Sequence, residues 1–337
     1  MKKLIESPFV QGNAILKKEQ RQRAFRKEYF QVWEHFYECL KTQRQFTTDE
    51  LDLLNVNQVY NQYRDKYHLL FPEQIKNTRE RFGLNQLQMS KVLGLGVNMI
   101  RNYENGEMPS VSNATLLNVI RDPKVFHELF EQRIGLLEMS AARRKKIQQK
   151  LQQLIHKDSE PSRNCLPVVE VPDEFSGYAL PNFEKLTFMV IYFLDKLDFL
   201  FKVKLNKLLF YSDFLHFQQS GKSISGIPYI AIKMGPVPEK YAHLYASMVD
   251  EEYLDVQELP SQEFDQTLER MIPIQKFQPA LFTQAEIDTL EWIYQKLGFK
   301  SREQLVELSH EEKCWQELHP TKGKISYQKY AFEISDL

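Results

Sequence analysis

Hydrophobic positions recur at three- and four-residue intervals along most of this chain and crowd together near its start and again from Leu186 to Leu194. From Phe25 to Cys39 the aromatic and β-branched residues Phe25, Tyr29, Phe30, Val32, Trp33, Phe36 and Tyr37 stand close together. That composition suits strands, although the period-two alternation is imperfect. Residues 1–46 are therefore expected to form a small β-rich module. Thr47-Thr48-Asp49-Glu50 reads as a capping box that opens a helix carrying Leu51, Leu54, Val59 and Tyr60.

Helical punctuation sharpens from Phe71 onward. Pro72 suits a first turn, Ile75, Thr78, Arg79 and Phe82 follow at helical spacing, and Gly83 ends the helix. Asn85 caps a second helix from Gln86 to Leu93, with Met89 and Val92 inward. Gly94-Leu95-Gly96 forms a tight turn, and a third helix runs from Val97 to Asn105. A fourth begins at Pro109-Ser110 and a fifth at Asp122-Pro123. Residues 131–158 read as a polar helical stretch with the basic run Arg143-Arg144-Lys145-Lys146, and Pro161, Pro167, Pro172 and Pro181 mark a linker over 159–181. Past it, Asn182 caps a nearly all-apolar helix, Lys204–Phe217 forms another, and Ser223–Met234 forms a short strand pair ending in Gly235-Pro236-Val237-Pro238. Thr283/Glu286, Ser301/Gln304 and Ser309/Glu312 are capping boxes for three late helices. The expected fold is mainly α with small β parts. Its expected domains are a β-rich module at 1–46, a five-helix DNA-binding domain at 47–131, a basic helical stretch and linker at 132–181, and an α+β domain at 182–337.

Charge divides the chain unevenly. The 337 residues carry a net charge of −1, but residues 1–158 hold 26 Lys and Arg against 18 Asp and Glu, and residues 159–337 hold 18 against 27. A basic half joined to an acidic half implies two different partners. Three scattered cysteines (Cys39, Cys165, Cys314) with no CxxC exclude a disulfide framework and a cysteine zinc site. The start of the chain lacks the apolar core of a signal peptide, and no run of about 18 apolar residues exists, so a cytoplasmic protein off the membrane is expected.

Residues 72–130 have the spacing of a helix-turn-helix. Its second and third helices must cross steeply, so the turn needs residues tolerant of positive φ, and Gly94 and Gly96 supply them. The third helix then presents Asn98, Met99, Arg101 and Asn102. Asn pairs bidentately with adenine and Arg with guanine. Gln86, at the start of the second helix, is placed to meet a phosphate. Tyr103 and Glu104 read as fold contacts. Phe71 to Glu131 contains 7 basic and 7 acidic residues, so its field is weak, and a homodimer reading two half-sites is expected. The run at Arg143–Lys146 reads equally as a contact to flanking phosphates or as a solvated helix face.

Asn57-Gln58-Val59-Tyr60 to Arg64, Pro72-Glu73-Gln74-Ile75 to Arg79, Gly94-Leu95-Gly96-Val97-Asn98 and Tyr103-Glu104-Asn105-Gly106 resemble the DNA-binding half of MqsA-type antitoxins. The resemblance implies base reading by Asn98 and, one step from the family's position, by Arg101. Such proteins carry an N-terminal zinc module with paired cysteines. Here that stretch retains only Cys39, so the module is expected to be a degenerate, metal-free relative of a zinc ribbon. Lys204-Leu205-Asn206-Lys207-Leu208-Leu209-Phe210-Tyr211, Ile224-Ser225-Gly226 to Ala231, Met234-Gly235-Pro236-Val237 and Leu308-Ser309-His310-Glu311 to Trp315 resemble the SocA-like, or Panacea, antitoxin domain over about 182–332. Members neutralise unrelated toxins by direct binding, and one acts as a protease adaptor. Tyr211, Met234, Pro236 and Val237 are the candidates for a toxin-binding surface.

The expected function is an antitoxin that binds its cognate toxin and autorepresses its operon through operator DNA. It has no catalytic role, cofactor or metal. The alternatives are a transcription regulator whose C-terminal domain senses a ligand or protein, or a protease adaptor for the toxin. A hydrolase built on His310 is the enzyme-class alternative, but no HExxH, P-loop or GxGxxG supports an enzyme.

Overall fold

The aromatic-rich start of the chain folds as an antiparallel meander. In the computed structural model, which describes residues 3–157, 171–260 and 267–335, β1 (Leu4–Glu6), β2 (Asn13–Phe25), β3 (Glu28–Cys39) and β4 (Gln45–Phe46) lie side by side in that order. β2 and β3 pair from Ala14↔Cys39 to Phe25↔Glu28, and Arg26 and Lys27 of the turn both take positive φ, as the twist of a two-residue hairpin requires. Strict alternation fails because Glu34, His35, Phe36 and Tyr37 are buried in succession. That half of β3 is covered on both faces.

The next helix, α1 (Asp49–Lys66), is capped one residue later than expected. The Thr48 hydroxyl accepts from Leu51 N at 3.4 Å and its carbonyl from Asp52 N, so the cap falls on Thr48 rather than Thr47, and with Leu51 three residues on it is a simple cap rather than a box. The amides of α1 are used to cover a strand edge. Asn55 accepts from His35 N at 2.8 Å and donates to His35 O at 2.9 Å. Gln58 does the same with Trp33, at 2.9 and 2.8 Å, and Gln62 donates to Gln31 O at 2.9 Å. Steps of three and four along the helix thus meet steps of two along β3, and side chains stand where a neighbouring strand would.

Two compact units result: the described part of Tyr63–Asn164, and the described parts of Met1–Gln62 with Cys165–Leu337. The first holds α2 (Pro72–Arg81), α3 (Gln86–Leu93), α4 (Met99–Glu104), α5 (Val111–Val119), α6 (Pro123–Arg133) and α7 (Ala141–Lys157). Asn85, Ser110 and Asp122 cap α3, α5 and α6 as their positions predict. Phe82, Met89, Val92, Ile100, Phe126 and Phe130 form the core, with the Phe82 and Phe126 rings stacked at 4.3 Å. Ile147 and Leu151 of α7 belong to the same core. The stretch expected to be one polar helix over 131–158 is therefore two helices, the second packed on this unit.

The other unit continues from residue 171. Residues 173–181 were expected in the linker but form an ordered turn. Asp173 Oδ1 accepts from Phe175 N and Ser176 N, and Tyr178 is buried. Pro161 and Pro167 lie outside the described residues. The elements that follow are α8 (Phe183–Lys196), α9 (Lys202–Ser220), β5 (Tyr229–Ile232), β6 (Gly235–Pro238), α10 (Tyr241–Asp250), β7 (Leu254–Pro260), β8 (Thr267–Pro273), α11 (Gln284–Leu297), α12 (Arg302–Glu311), α13 (Lys313–Leu318), β9 (Lys324–Ile325) and α14 (Tyr327–Tyr330). The fold is mainly α with small antiparallel sheets, β6-β5-β9 and β7-β8 joining the N-terminal meander. Thr283 and Ser301 form their expected capping boxes. Ser309 does not: it lies inside α12, and the chain breaks at Glu312 before α13. The expected strand pair sits further on, with Gly235–Pro238 as its second strand rather than its end. β3 and α1 share this unit because Asn57 and Asn61 donate to the carbonyls of Ser220 (3.4 Å) and Gly221 (2.9 Å), where α9 ends.

Candidate functional site

The crossing of α3 and α4 is set by one turn. Gly94 takes φ +68°, a left-handed backbone that glycine adopts without the strain a side chain would bring, and a Cβ there would also push aside the guanidinium of Arg133, whose Nη1 would lie 2.2 Å away. Gly96 has no positive φ, and this corrects the expectation that both glycines are conformationally required. Met89, Val92 and Ile100 are fully buried at the crossing, where Ile100 N donates to Ser90 Oγ at 3.3 Å. α4 is shorter than predicted, because Gly96 to Asn98 are spent on the turn.

Three helices are tied together by a buried ion pair. Arg79 of α2 donates through Nε to Glu104 Oε1 at 2.5 Å and through Nη2 to Oε2 at 3.1 Å, while its Nη1 reaches Leu84 O at 2.9 Å. Gln86 of α3 donates to the same Glu104 carboxylate at 2.7 Å. The hydroxyl of Tyr103 accepts from Asn113 at 2.7 Å and links α4 to α5. Tyr103 and Glu104 are thus fold contacts. Gln86, expected at a phosphate, is half-buried with its amide turned inward. Asn98 and Arg101 stand exposed, and Met99 and Asn102 are half-buried. Asn98 caps no backbone group with its side chain. Spacings of three and four place Asn98, Arg101 and Asn102 on one side of α4.

The four residues expected on the C-terminal binding surface separate by burial. Tyr211 is wholly buried and donates to Glu312 Oε1 at 3.1 Å. Pro236 and Val237 are buried in β6, and only Met234 keeps a surface. This corrects the reading of Tyr211, Pro236 and Val237 as contact residues: a side chain inside the core has no face to offer. Ser309 Oγ donates to Val306 O at 2.8 Å. His310 Nε2 faces Lys233 O at 3.1 Å, and its ring stacks on Trp315 at 3.7 Å. These partners include none of the nucleophile–base geometry a hydrolase needs.

The polar groups that organise this domain had no role assigned from the sequence: Lys207 and Ser225 lie within the Panacea-like segments, and Asp213 lies in none of them. Asp213 is fully buried and accepts from Ile224 N and Ser225 N at 2.8 Å, Ser225 Oγ at 2.5 Å and Tyr229 OH at 2.9 Å. Burial pushes its carboxyl up to about 6 against those hydrogen bonds. Lys207, also fully buried, donates to Pro236 O at 2.9 Å, and desolvation lowers its ammonium to about 7. A Cβ on Gly235 would stand 2.3 Å from Ser309 Oγ and 2.6 Å from Lys207 Nζ. That is why a glycine occupies this position, whose φ is +92°.

These burials predict a pH response. Desolvation holds His35 down at about 4, and lowers His216 likewise. A histidine with a depressed folded value stabilises fully above its unfolded value near 6.5 and loses that contribution as pH falls toward 4. For His35 the loss is roughly 3 kcal/mol. Asp213, raised, acts oppositely, adding stability as pH falls through about 6. Burial raises Glu312 in the same direction, and the expectation is that the two histidines outweigh the two carboxyls. Denaturant midpoints of the His35-containing unit should therefore fall between pH 6.5 and pH 4.5, and a rise over that range would mean the carboxyl contribution dominates.

Residues 75–118, from α2 into α5, match the helix-turn-helix family model, and residues 205–316, from α9 into α13, match the family described as antitoxin SocA-like, Panacea domain. No curated protein matches the chain. Among the described residues, no helix is long and apolar enough to cross a membrane.

Proposed function

We propose that this chain, which joins a helix-turn-helix domain to a SocA-like Panacea domain, is the antitoxin of a toxin–antitoxin pair. The joining of those two domains in one chain carries the reading. The C-terminal domain binds and inhibits a cognate toxin in the cytoplasm. The helix-turn-helix, as a homodimer, binds operator DNA and represses the operon. Asn98 and Arg101 read bases, and Met99 and Asn102 complete the contact surface. Met234 lies on the toxin side, where Tyr211, Pro236 and Val237 act from beneath by holding the β5–β6 pair.

Co-expression tests the reading. The adjacent gene should arrest growth alone and be harmless with this chain present. A harmless neighbour, or arrest without relief, would leave a transcription regulator. The two activities should separate. Asn98→Ala with Arg101→Ala should lose discrimination for the upstream DNA, at about 1–3 kcal/mol per lost base contact, and still relieve toxicity. Undiminished discrimination in a gel-shift titration would put the recognition surface elsewhere.

A further inference from the structure

Phe71 to Glu131 carries as many acidic as basic residues, 7 of each. A helix-turn-helix without net charge lacks the phosphate-directed attraction that supplies most nucleic-acid affinity. The same compact unit holds that charge elsewhere. Its last helix, α7, has the sequence AARRKKIQQKLQQLIHK, with six Lys and Arg and no Asp or Glu.

The packing of α7 puts this charge beside the α2–α3 turn. Ile147 and Leu151 lie in the core. Arg143 donates to Gly83 O at 2.7 Å and Lys150 to Glu80 O at 3.2 Å. Both carbonyls belong to the C-terminal end of α2, where cations are favoured. Gly83 is two residues before the cap of α3. Lys146 falls at the same helical spacing as Arg143 and Lys150, on the flank facing that turn. Lys145 stands further out. Both are exposed and have no hydrogen-bond or ion-pair partner among the described residues. Three acidic groups of the same unit are engaged elsewhere. Glu80 pairs with Arg79, Glu138 with Lys91, and Glu131 accepts from Gln148 on the opposite flank of α7.

We propose that α7 is a second DNA-contacting element, whose Lys145 and Lys146 engage the phosphate backbone of duplex DNA next to the segment entering α3. This rests on the reading of the helix-turn-helix as DNA-binding. α7 adds affinity without sequence preference, while α4 supplies the preference.

The test uses the full chain, a duplex from upstream of its own gene, and a scrambled duplex of equal length. Lys145→Gln with Lys146→Gln should lower the slope of log affinity against log salt by about 1.8 on both duplexes. The affinity lost between 50 and 200 mM salt should then shrink by roughly 12-fold. The ratio between the two duplexes should stay unchanged, and so should the melting temperature, because both side chains are exposed. An unchanged slope, with Asn98→Ala and Arg101→Ala still abolishing discrimination, would overturn the role of α7 and leave the helix-turn-helix reading standing. A wild-type chain that binds neither duplex would overturn both.

Discussion

Asp213→Ala should unfold the Panacea-containing unit well below the temperature at which the wild-type unit melts, while the α2–α7 unit keeps its own transition. The carboxylate is fully buried and accepts four hydrogen bonds, two from backbone N–H groups of Ile224 and Ser225 and two from the hydroxyls of Ser225 and Tyr229. Truncation leaves those donors buried, at about 1–3 kcal/mol for each one unsatisfied. A loss of at least about 4 kcal/mol is expected, a large part of the 5–15 kcal/mol typical of a folded domain. The backbone pair cannot rotate away, and nearby Gly226, at φ +70°, stands where a Cβ would lie 2.4 Å from Leu180 O. Asp213→Asn keeps one carbonyl oxygen for the two backbone donors and should cost much less. Scanning calorimetry on both variants checks this. Equal, small losses would show that the loop at 223–226 is held by its apolar neighbours instead.

What could be read in the sequence was what local chemistry dictates. Asn85, Ser110 and Asp122 announce α3, α5 and α6 because a side-chain oxygen before an apolar-periodic run has little else to do. Failures came where a distant partner decides. Glu312 follows Ser309 at capping-box spacing, yet its carboxylate accepts from Tyr211 and from Ser335 N, and the helix breaks there. Asn55, Gln58 and Gln62 look like ordinary polar helix surface, and only the register of β3 shows why amides are needed. The β7–β8 pair was not foreseen, since Leu254–Pro260 mixes acidic and apolar residues without a turn signal between the strands. At the candidate site, spacing alone put Asn98 and Arg101 forward, and both stand exposed, whereas the inward turn of Gln86 and the burial of Tyr211, Pro236 and Val237 depended on tertiary packing.

Glu104→Ala should cost the α2–α7 unit about 3–5 kcal/mol, the usual penalty for leaving one member of a buried ion pair uncompensated. Arg79 is 9% exposed and would keep its charge with only Leu84 O and the exposed Glu80 as partners. The hydrogen bonds it donates to Glu104 are the main cause that raises the guanidinium above its ordinary value. Gln86 would lose its acceptor as well, so the side-chain ties that Glu104 makes to α2 and α3 would go together. DNA binding should therefore fall along with stability. This differs from Asn98→Ala with Arg101→Ala, which removes contacts from an unaltered scaffold and should leave the melting transition in place. Arg79→Met with Glu104→Met removes both charges at similar volume and should recover most of the stability. Binding by that double variant then measures how far the pair positions the recognition helix beyond holding the unit folded. If Glu104→Ala alone melts like the wild type, the pair is solvated in solution and α4 is held by Ile100 and Tyr103 alone.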